Sequence, residues 1–71
     1  MRLSYDPTTD SLYIHLLEKV ATESDEVAEG VVLDFSDTGL LVGIDVQHAS
    51  KNADIDRLLL TKVPFNEVNA A

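Results

Sequence analysis

From Arg2 to Val46 the chain repeatedly alternates apolar and polar residues with a period of two, the spacing of strands that bury one face. Leu3 and Tyr5 alternate against Arg2, Ser4 and Asp6, which predicts a first strand. Asp6-Pro7-Thr8-Thr9-Asp10 predicts a type I turn, because the proline presets φ and an Asp carboxylate accepts nearby backbone N–H groups. Leu12, Ile14 and Leu16 then alternate against Ser11, Tyr13, His15 and Leu17, so a second strand closes a hairpin. The polar stretch from Glu18 to Glu29 carries Glu23, Asp25, Glu26 and Glu29, and predicts an edge strand guarded by its carboxylates. Val31, Leu33 and Phe35 predict the next strand, and Gly39 supplies the positive φ of a short loop with a bulge. Leu40, Val42, Ile44 and Val46, opposite Leu41, Gly43 and Asp45, complete a second and stronger hairpin. A glycine inside a strand weakens it, so Gly43 predicts a bulge or a covering side chain.

After Val46 the alternation stops. Gln47 to Ala53 has the composition of a turn or a single helical turn. Ile55, Leu58 and Leu59 fall at i, i+3 and i+4, which predicts a short helix from Ile55 to Leu60, capped by Asn52 or Asp54 and ending before Val63-Pro64. Leu58-Leu59-Leu60 also fits a strand. The expected fold is α+β, predominantly antiparallel β: two β-hairpins forming a small sheet with a short C-terminal helix. Residues 1–65 form one domain, and 66–71 a frayed tail.

Size makes that domain marginal. A folded chain of 7.8 kDa keeps about 4,400 Å² exposed out of about 11,300 Å² when unfolded. Small domains in this position recruit disulfides, metals or a second subunit, and the 71 residues contain no cysteine. A homo-oligomer, most simply a dimer, is the expected supplement. Tyr13 and Leu17, apolar residues on the second face of their strand, are the expected interface unless the Ile55–Leu60 segment covers them. Leu12, Ile14, Leu33, Val42 and Ile44 are the expected core. A net charge of −8 opposes nucleic acid and anionic membrane surfaces and favours a basic protein partner. No apolar run approaches the length of a membrane span and no signal-peptide pattern is present, so the cytoplasm is the expected compartment.

Tyr5-Asp6, Asp10, Leu12-Tyr13-Ile14, Gly30-Val31-Val32-Leu33-Asp34, Gly39, Leu41-Val42-Gly43-Ile44 and Ala49-Ser50-Lys51, in that order, resemble the YuzE-like family of small bacterial domains of unknown function. The resemblance spans residues 1 to about 51. It implies a compact antiparallel sheet domain, often a short protein by itself and in some cases encoded beside a candidate toxin. It implies no activity.

The residues themselves name no reaction. Asp6, Asp10 and Asp34 are weak candidates for a Mg²⁺ or Ca²⁺ site, but each has a sufficient explanation as a turn or surface residue. A pocket lined by Tyr5, Asp6, Asp34 and His15 would favour a small enzyme. His15 and His48 lack a second His or Cys at ligand spacing, and the serines lack an activating motif. Three glycines are too few and too scattered to cradle a phosphate. The expectation is an interaction module with no catalytic residues and no cofactor.

Overall fold

The computed structural model describes residues 1–70. Five strands form one antiparallel sheet: β1 (Arg2–Asp6), β2 (Ser11–His15), β3 (Glu23–Ala28), β4 (Val31–Phe35) and β5 (Leu41–Val46), in the order β1-β2-β5-β4-β3. A four-residue helix, α1 (Ala49–Asn52), follows. The chain is thus an α+β domain of antiparallel strands with one short C-terminal helix. Two hairpins, β1–β2 and β4–β5, join through β2 and β5, and β3 pairs with β4 at the far edge.

Local chemistry explains each turn. The Asp6 carboxylate accepts from the Thr8 amide at 2.9 Å and the Thr8 hydroxyl at 2.6 Å, closing the β1–β2 turn. Gly30 (φ 77°) closes β3 onto β4. Gly39 (φ 84°) turns β4 into β5, where the buried Ser36 hydroxyl accepts from the Leu40 amide and pairs with Thr38. The acidic stretch does form an edge strand, β3.

The register sorts the side chains into rows, because directly paired residues share a face. On one face Leu3, Ile14, Ile44, Leu33 and Asp25 cross the sheet in line, followed by Tyr5, Leu12, Val46, Val31 and Ala28. On the other face run Arg2, His15, Gly43, Asp34 and Ser24, then Ser4, Tyr13, Asp45, Val32 and Glu26. The expected core residues Leu12, Ile14, Leu33 and Ile44 do lie together, on the apolar face. Val42 sits apart in a bulge between β4 and β5, and among the described residues it is the only large side chain that is fully buried. Its carbonyl accepts from the Leu16 and Leu17 amides as the chain leaves β2.

The Ile55–Leu60 segment corrects the sequence expectation: it is neither helix nor strand, and the only helix among the described residues is α1 at Ala49–Asn52. Six residues cannot repay helix nucleation without a surface to pack on. Leu58 and Leu59 instead stay 65% and 72% exposed. From Asp54 to Ala70 every residue is exposed, and among the described residues no hydrogen bond ties this stretch to the sheet. Residue 71 of the expected tail lies outside the described residues. No helix among them is long and apolar enough to cross a membrane.

Candidate functional site

Two polar clusters stand out, one on the polar face and one at the α1 end of the sheet. On the polar face Gly43 leaves a gap in the middle of its row. Tyr13, two residues along β2 from His15, the partner of Gly43, lays its ring over that gap: a Cβ at Gly43 would collide with the Tyr13 hydroxyl and sit 2.8 Å from Cε2. The hydroxyl then donates to Asp34 Oδ2 at 2.9 Å, while Ser24 donates to Asp34 Oδ1 at 2.7 Å. Burial and, next, the Asp34 carboxylate raise the Tyr13 pKa above its ordinary value, so the phenol stays a neutral donor.

His15 stands edge-on to Tyr13, with ring centroids 5.8 Å apart. Arg2 has only donors to offer, so its 3.3 Å contact with His15 Nδ1 makes that nitrogen the acceptor and puts the proton on Nε2. His15 Nε2 is buried without a hydrogen-bond partner. Glu18 Oε2 lies 4.0 Å away, near enough to pair with a protonated ring but too far to accept a hydrogen bond.

At the other end, Asp10 (φ 53°) fastens α1 to the β1–β2 turn. Its carbonyl accepts from the Ala49 amide at 2.8 Å, and its carboxylate accepts from the Ser50 amide, the Ser50 hydroxyl at 2.6 Å and the Tyr5 hydroxyl at 2.8 Å. These bonds, the Ser50 hydroxyl first and Tyr5 next, lower the Asp10 pKa; the Thr8 hydroxyl does the same for Asp6. The bond to Asp10 is also the main cause of a raised Tyr5 pKa.

A carboxyl whose folded pKa lies below its unfolded value adds stability that is present above the unfolded value and lost as pH falls through the folded one. The wild-type melting temperature is therefore expected to drop as pH falls below about 4. Asp10→Asn should melt lower at neutral pH and depend less on acid, because its amide cannot hold three donors as a carboxylate does. Thermal unfolding across that range checks this; parallel acid profiles for the two proteins would refute it.

The three candidate metal ligands are not brought together. Asp34 lies four residues along and three strands across from Asp6, roughly 20 Å away by sheet spacings. Asp6 and Asp10 share a turn, but each binds its own donors. Among the described residues no three His, Cys, Asp or Glu side chains gather where they could hold a metal ion. Nor do Tyr5, Asp6, Asp34 and His15 line one pocket, since Tyr5 faces away from Asp34 and His15. Two open hollows lie elsewhere, one lined by Asp54, Asp56, Arg57 and Leu59 and the other beside Lys19 and Ser36. His48 is the left-handed residue preceding α1, far from His15 along β2 and β5. Of the two expected interface residues, Tyr13 is engaged with Gly43 and Asp34, and Leu17 is 38% exposed beyond the end of β2. Ser24 and Ser50, which tie down Asp34 and Asp10, were not singled out by the sequence. Only the register for Ser24, and the Ala49-Ser50-Lys51 motif for Ser50, points to them.

The geometry defines a single-sheet domain with one apolar and one polar face and a helical turn bolted to its end by an aspartate. The chain belongs to a family of proteins of unknown function (DUF2283), whose pattern matches residues 2–50. The match ends within α1 and takes in every strand. No curated protein and no solved structure matches the chain.

Proposed function

We propose that this chain is a small protein-interaction module that acts in the cytoplasm, self-associates as a homodimer and binds a basic protein partner. The observation that supports it best is the contrast between the two sheet faces. On the polar face Tyr13 and Ser24 are tied to Asp34 and Arg2 to His15 Nδ1, and neither of two open hollows adjoins them. The opposite face is broad, apolar and incompletely covered. Glu26, Asp34 and Asp45 occupy adjoining rows of the polar face, where Arg2 is the only lysine or arginine, so this side attracts cations. YuzE-like kinship within the family belongs to the same proposal, and by that analogy the partner is a toxin protein that the module neutralises.

The test is capture from the native cell with the wild-type chain and with a Glu26→Lys/Asp45→Lys variant. A basic protein retained by the first and lost by the second is the expected result. Equal retention by both, or retention of acidic proteins only, would count against the charge-based reading.

A further inference from the structure

We infer that Arg2, His15 and Glu18 form an acid-operated latch on the polar face: when His15 takes up a second proton, Arg2 leaves its ring and Glu18 closes on Nε2. The latch stands on its own geometry and goes beyond the interaction-module reading.

The first argument is an unmet donor. With Arg2 donating to His15 Nδ1 at 3.3 Å, the ring proton sits on Nε2, and that atom is buried without a partner. A buried N–H in that position carries a desolvation cost that an acceptor would remove. Among the described residues Glu18 is the only carboxylate within 4.0 Å of a ring nitrogen, and its Oε2 stops at that distance from Nε2. Arg2 holds the same carboxylate, 3.3 Å from Oε1 through Nε and 3.4 Å from Oε2 through Nη2. One cation thus occupies both the ring and the group that could satisfy it.

The second argument is what protonation does to these contacts. A second ring proton turns Nδ1 from acceptor to donor, so its contact with Arg2 becomes donor against donor and cation against cation. The same proton makes Nε2–H a charged donor, which favours a carboxylate at about 2.7–2.9 Å over one left at 4.0 Å. Both partners are free to move. The Arg2 and Glu18 side chains are 65% and 72% exposed, and the contacts of Arg2 are longer than the roughly 2.7–3.2 Å of a good hydrogen bond. Other titratable groups surround the ring without taking part. Tyr13 stands edge-on to it and gives its hydroxyl to Asp34, which lies beyond Gly43 in the His15 row. Asp45 of β5 occupies the next row, the Met1 ammonium precedes Arg2, and Lys19 follows Glu18. In mild acid the polar face therefore gains one positive charge beside its carboxylates. Binding of a basic partner there should weaken, and this consequence alone rests on the interaction-module reading.

Side-chain NMR of the full chain reads the latch directly. His48→Asn, at a left-handed position that Asn tolerates, separates the His48 signals from those of His15. At about pH 8 the nitrogen shifts should place the His15 proton on Nε2. Between about pH 8 and pH 5, where imidazoles ordinarily titrate, the Arg2 Cζ and Glu18 Cδ signals should move with the same midpoint as the His15 ring. Glu18→Gln should shift that midpoint to lower pH and Arg2→Met to higher pH. Both sites are exposed, so the strand signature in circular dichroism should persist in each variant. A proton on Nδ1 at the alkaline end would overturn the latch. So would Arg2 and Glu18 signals that ignore the His15 titration, or a midpoint indifferent to either substitution. None of these readouts involves a partner protein, so the latch and the capture test fail separately.

Discussion

Gly43→Ala is expected to be among the most damaging single-methyl changes in this protein, lowering stability by about 3 kcal/mol. Overpacking a tight site costs about 1–3 kcal/mol, and losing a hydrogen bond to a charged group about 1.5–3 kcal/mol. The added Cβ occupies the space of the Tyr13 ring and hydroxyl, so it expels the ring and breaks the bond to Asp34 together. For a chain of this length the melting temperature should fall by on the order of 10–20 °C. A double-mutant cycle isolates the cause. Alanine is ordinarily better than glycine inside a strand by about 0.5–1 kcal/mol. In a Tyr13→Ala background, where the ring is gone, Gly43→Ala should therefore become neutral or stabilising. If the substitution costs the same in both backgrounds, the ring is not what reserves the space at Gly43.

Val42→Ala is expected to cost about 2–3 kcal/mol, from the lost methyl groups and the cavity left in a site that cannot collapse. Val42 is 1% exposed, held in the β4–β5 bulge, and its carbonyl carries two amides of the segment leaving β2. A domain of this size holds roughly 4–10 kcal/mol in reserve, so the loss is a large share. Leu33→Ala makes the informative comparison. In one chain Leu33 is only partly buried, and its truncation forfeits part of a side chain's transfer energy. Leu33→Ala is therefore expected to cost no more than Val42→Ala although it removes a larger side chain. Chemical unfolding measures both. A Val42→Ala protein that unfolds like the parent would show that the bulge is not a core site.

Much of this fold was legible because strand chemistry is local. Alternation located β1, β2, β4 and β5, the clustered carboxylates marked β3 as an edge, and Gly39 marked its loop. Gly43 was readable as a demand for a covering side chain, and the cover proved to be Tyr13. The helix expected from Ile55 to Leu60 failed because three apolar residues at helical spacing say nothing about whether a surface exists to receive them. A helical turn does form at Ala49–Asn52, within the Gln47–Ala53 stretch whose composition allowed one, and Asp10 holds it through Ala49 and Ser50.

By itself the sequence determined the strands, the turn chemistry and the acidic edge, since a period of two and a glycine's φ depend on near neighbours alone. Tertiary structure decided the order β1-β2-β5-β4-β3, the pairing of Tyr13 with Asp34 across 21 positions and that of Asp10 with Ser50 across 40. It also separated Asp34 from Asp6 and Asp10, which the sequence had left free to converge. Such contacts exist only once β2 has chosen β5 as its neighbour. That choice is made by the summed burial and hydrogen bonding of whole strands, a quantity no short stretch of residues contains.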